Sequence, residues 1–166
     1  MRFRNELRQR AVVRLVLIAS LSMVAGLFIY AADRAPGSVY LFPDALSLNS
    51  GEGLIFGALG AYLPTFIHVY TFTLLTYACL SCDRAAVITT CGFWFIIDSL
   101  LELCQQEVVA TGIITIVPQW FDSIPVLENV SPYFVKGTFD PVDLLSIAVG
   151  SITAYFTINT FKEEGK

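Results

Sequence analysis

A lone histidine and a pair of carboxylates stand in stretches that are otherwise apolar enough to cross a membrane: His68, and Asp98 with Glu102. The i, i+4 spacing puts both acids on one face of a helix. Ionisable groups in such stretches are costly and mark functional sites. An imidazole beside a carboxylate suits proton transfer, and equally a buried ion pair. The chemistry this predicts is general base catalysis, with Glu102 or Asp98 as the base and His68 as its partner. Gln105 lies on the turn beyond Glu102, and Asp140 and Asp143 open the last apolar stretch, so these three are candidate ligand-binding side chains. Each has a plainer reading. His68, Asp98 and Glu102 could form a hydrogen-bond network that only fixes helix packing. Asp140-Pro141-Val142-Asp143 has the form of a helix start, with Asp140 as N-cap, Pro141 at N1 and Asp143 near the positive end of the dipole.

The elements that must position these residues follow from composition. Of 166 residues 55% are hydrophobic and 14% charged, and the mean hydropathy is +0.68, too apolar for an ordinary soluble domain of this length. A bilayer core about 30 Å thick needs roughly 20 helical residues. The chain offers four such stretches, about 15–32, 62–80, 85–104 and 142–161. The expectation is an all-α, integral membrane four-helix bundle forming a single domain over residues 1–166. Pro64 belongs in a first helical turn, so the second span is expected to start near Tyr62, with Leu54 to Ala61 left as an interfacial piece. His68 would then lie about 6 Å below the outer surface, with Asp98 and Glu102 roughly 9 and 3 Å from the outer end of span three.

Eight of the ten Lys and Arg residues flank one side of these spans and only Arg34 and Lys136 the other. The positive-inside rule then places both termini in the cytoplasm and the segments 33–61 and 105–141 outside. The longer external segment opens with an apolar run, Val108 to Val117, too short to cross and suited to a re-entrant or interfacial element, with Trp120 and Tyr133 at headgroup level. The arginine-rich start and Tyr30-Ala31-Ala32 also resemble a cleavable signal peptide, although the 18-residue core from Leu15 exceeds the usual length of one. A net charge of −4 argues against nucleic acid as a partner.

On this topology His68, Asp98, Glu102, Gln105, Asp140 and Asp143 all gather near the outer leaflet. Their pattern is similar to that of VanZ-like membrane proteins. His68 stands in Phe66-Ile67-His68-Val69-Tyr70, Glu102-Leu103-Cys104-Gln105 gives E-x-x-Q, and Phe139-Asp140-Pro141-Val142-Asp143 is followed seven residues on by Gly150. The resemblance covers about residues 60–155. It departs where Gly137-Thr138, Ile147 and Ala154 stand at the family's arginine, asparagine and final glycine positions. It implies a small multi-span protein of the bacterial cytoplasmic (inner) membrane, in a family whose founding member is associated with resistance to the glycopeptide teicoplanin.

No cofactor is expected, and no metal: the acids and His68 are hard ligands suited to Mg, Mn, Ca or Zn, but they lack tight ligand spacing. Cys79-x-x-Cys82 closes span two without a second such pair, and reads as packing, as do Cys91 and Cys104. Three functional classes fit. The first is a site that binds or processes an amphipathic envelope molecule, a lipid or lipid-linked glycan, and so affects envelope or resistance properties. The second is a non-catalytic accessory subunit of a larger membrane protein complex. The third is a small proton-coupled carrier. Membrane lipids are partners in each.

Overall fold

The computed structural model describes residues 2–34, 46–49, 55–80 and 84–164. Most of the segment 33–61, Leu54 among it, and Cys82 lie outside the described residues. Among those described, all regular structure is helical. The elements are α1 (Arg2–Asp33), α2 (Ala58–Cys79), α3 (Arg84–Leu103), α4 (Glu107–Ile116), α5 (Val130–Lys136) and α6 (Pro141–Glu164), with two 3-10 turns at Gln119–Ser123 and Leu127–Asn129. Four of them, α1, α2, α3 and α6, are long and apolar enough to cross a membrane.

Helix α1 starts well before the expected residue 15, because the Arg, Glu, Gln and Leu of its first turns are good helix formers and no Gly or Pro interrupts them before Gly26. Helix α2 starts at Ala58, ahead of the start that Pro64 suggests. Pro64 instead lies buried inside the helix, where it cannot donate to the carbonyl of Gly60. The turn leading into α2 bends at Gly57, whose φ of 56° is one that glycine adopts at no steric cost. The anticipated apolar run after span three is α4, which at ten residues is about 15 Å long and too short to cross.

Helices α2 and α6 pack on one another, and each also packs on α1 and α3. Small residues allow this. A Cβ added at Gly150 would stand 2.8 Å from the Phe66 carbonyl oxygen, and one at Gly26 would stand 2.9 Å from Ile67 Cγ2. Polar ties cross the same interfaces: Trp94 Nε1 donates to Thr76 Oγ1 at 2.9 Å, and Ser151 Oγ to the Cys91 carbonyl at 3.2 Å. The apolar core sits at the end where the chain begins and finishes, with Leu15, Ala19, Leu74, Tyr77, Val87, Cys91, Ala154 and Ile158 buried together. Outward faces carry exposed Leu21, Val24, Ile88, Leu145 and Phe156. Such a belt is untenable in water over this area and is what lipid requires. The architecture is that of a multi-pass membrane protein.

Candidate functional site

Away from that core, at the opposite end of the bundle, the polar residues collect. Ten residues of α2 precede His68, about 15 Å of helix, while Asp98 lies five residues, about 7.5 Å, from the last residue of α3. The two are nevertheless side by side, with His68 Nδ1 3.3 Å from Asp98 Oδ2. Helix α2 therefore overtops α3. The histidine is deeper along its own helix than the 6 Å expected from a start near Tyr62, because α2 begins earlier.

The histidine side chain is 48% exposed and that of Asp98 8%. Asp98 is thus the buried anchor and His68 the group presented outward, between α2 and α3. Phe72 lies against the imidazole with ring centroids 4.5 Å apart, and Trp94 meets it edge-on at 6.1 Å. Trp94 is itself fixed by its bond to Thr76. In the neutral imidazole that donates from Nδ1 to the Asp98 carboxylate, Nε2 is left as an acceptor. The arrangement is an oriented imidazole with a carboxylate behind it, as a general base requires.

Glu102 has a different task. It is buried, and its Oε1 accepts the backbone N–H of Asp140 at 2.8 Å, which fastens the end of α3 to the residue preceding α6. Asp140 caps α6 as the sequence suggests: its Oδ1 accepts the N–H of Val142 at 2.8 Å. Asp143 Oδ1 accepts from Thr65 Oγ1 at 2.8 Å, tying α6 to α2. Gln105 Nε2 donates to the Tyr133 hydroxyl at 2.8 Å, and a Cβ at Gly137 would collide with the same amide, so α5 is held close over α3. Burial pushes the Tyr133 phenol above its ordinary value. The bond from Gln105 opposes that shift, and the charges of Glu102 and Asp98 add to it.

All six residues singled out in the sequence therefore occur at one end, but as separate pairings rather than one ring. His68 meets Asp98, Glu102 meets Asp140, and Asp143 reaches α2 through Thr65, while Gln105 turns to Tyr133. Among the described residues, no three His, Cys, Asp or Glu side chains come together as a metal site. The sequence reading missed Asp33. Buried at the last position of α1, its Oδ1 accepts the N–H of Ile55 at 2.7 Å, and its two oxygens the N–H of Phe56 at 3.2 and 3.1 Å. Asp33 closes an apolar stretch, and nothing in its immediate sequence sets it apart from an ordinary span flank. The available signal was Gly60, which must lack a side chain to let that carboxylate in. Searches of protein-family models, curated proteins and solved structures give no match to this chain.

Proposed function

We propose that this chain is a VanZ-like protein of the bacterial cytoplasmic membrane, with both termini cytoplasmic, that binds an amphipathic envelope molecule from the outer leaflet. His68, held in place by Asp98, contacts its polar part. The supporting observation is the half-exposed His68 held by a buried Asp98 where α2 meets α3. An imidazole facing hydrocarbon is costly, and a ligand bearing hydroxyl or amide groups relieves that cost by donating to Nε2. The molecule's apolar chain lies along Phe72, Trp94 and exposed Leu101, which flank the pair. Topology is supported by the Lys/Arg bias across the spans. A lipid or lipid-linked glycan satisfies both requirements. Proton-coupled transport is disfavoured, because α2, α3 and α6 carry no Asp, Glu, His, Lys or Arg from below His68 and Asp98 to the opposite end of the core.

A photo-crosslinking residue in place of Phe72, whose ring abuts His68, tests this in living cells. It is expected to capture an envelope molecule with a polar head, and His68→Ala or Asp98→Asn is expected to abolish that adduct while the protein still accumulates. The same probe at lipid-facing Leu145 should capture bulk phospholipid only. Identical adducts from both positions, unchanged by His68→Ala, would overturn the proposal.

A further inference from the structure

At the other end of the bundle, α1 carries an unassigned cleft of about 430 Å³ whose described lining is Glu6, Gln9, Arg10, Val13 and Arg14. These positions recur at i, i+3, i+4, i+7 and i+8, so they form one face of the helix. The same face continues through Leu17, Leu21, Val24 and Phe28, all exposed and all apolar. Polar recognition and a bare apolar rail thus share one helix, and they meet at Arg14, the last charge before the apolar stretch. The Arg14 guanidinium lies 5.9 Å over the Phe161 ring, which brings α6 to the same level. The next residue, Lys162, buries its ammonium without a hydrogen-bond partner among the described residues. A buried unpaired cation is costly and is relieved by an anion. Two arginines line the cleft beside one acid, Glu6, so its described lining is net positive.

We infer that this cleft holds the phosphate of an anionic phospholipid in the leaflet nearest the chain termini, its acyl chain running along Leu17, Leu21, Val24 and Phe28. Arginine suits the phosphate through its planar fork of donors. A free phosphate would bind the arginine face but leave the rail bare, and for that reason the lipid is the favoured source. The inference rests on the membrane architecture and not on the His68 site, so either can fail alone.

Native mass spectrometry of the full-length protein in mild detergent tests it, with phosphatidylglycerol, phosphatidylcholine of identical chains, or inorganic phosphate as the probe. Phosphatidylglycerol adducts are expected to persist where phosphatidylcholine adducts are stripped. The Arg10→Gln/Arg14→Gln pair should weaken retention roughly thirtyfold, given the usual contribution of a basic residue near an anionic surface. Arg8→Gln removes one charge from the opposite face and should change retention less than twofold. Should the double variant fail to insert, Arg10→Gln alone is expected to cost about fivefold. Three results would each overturn the inference: equal retention of the two lipids, phosphate binding as tightly as lipid, or a lipid-free dimer that occludes the arginine face.

Discussion

Replacing Gly150 by alanine tests whether the bundle depends on the close approach of α2 and α6. The new Cβ would stand 2.8 Å from the Phe66 carbonyl oxygen, 3.4 Å from Val69 Cβ and 3.5 Å from Phe66 Cα. Non-bonded carbon prefers roughly 3.5 Å or more from its neighbours. The nearest obstacle is backbone, which no rotamer change removes, so the helices must part by about half an ångström. Overpacking of this kind costs about 1–3 kcal/mol, while alanine gains about 1 kcal/mol over glycine in helix propensity. Gly92→Ala supplies the control: it offers the same propensity gain in α3, and its Cβ would meet nothing within 4 Å. The expected result is that Gly150→Ala is less stable than Gly92→Ala by about 1–3 kcal/mol, read by reversible unfolding in detergent. Parting the helices should also lengthen the Thr65 to Asp143 bond, so Thr65→Val should cost less in the Gly150→Ala background than alone. If Gly150→Ala matched Gly92→Ala, the close α2–α6 contact would not be a determinant of stability.

Two further outcomes follow from the polar end. Asp33→Ala leaves the N–H groups of Ile55 and Phe56 without their acceptor, and is expected to cost about 1–3 kcal/mol and to speed amide exchange at those two residues. Unchanged exchange there would refute the clamp. Tyr133 should ionise above the usual tyrosine value of about 10 in a difference titration against Tyr133→Phe, because its burial favours the neutral phenol. Its stabilising effect is present below the unfolded pKa and is lost as pH rises through the raised folded one. Gln105→Leu, by removing the donor that favours phenolate, should move the midpoint higher still, and a downward move would contradict the assigned bond.

Helix number and class were legible because each spanning stretch is continuous and apolar, and the cap at Asp140 was legible because Asp-Pro is a strong local signal. What failed was local reasoning at Pro64. Proline marks a helix start only when no tertiary contact organises the residues before it. Here Asp33, distant in sequence, holds Ile55 and Phe56 and allows α2 to begin at Ala58. The pairing of His68 with Asp98 is set by the register in which α2 packs on α3. No periodicity within either stretch encodes it.

The two carboxylates that close α1 and α3 do equivalent work. Asp33 ends one helix and grips the N–H groups leading into α2, and Glu102, one residue from the end of α3, grips the N–H preceding α6. Each antiparallel pair is thus latched at its polar end by an acid that accepts otherwise unsatisfied backbone donors, where an empty donor would be costly. Asp140 caps α6, and Asp143 binds Thr65 across to α2. Every acid of the cluster except Asp98 therefore has a structural partner that explains its presence in the membrane. Among the described residues, Asp98 spends its only hydrogen bond on an imidazole that is half exposed. A packing role does not account for that exposure. A histidine recruited only to neutralise a buried acid would be buried with it, since an exposed ring in hydrocarbon adds its own desolvation cost. Among the candidate residues, His68 with Asp98 is consequently the pair whose geometry asks for a ligand.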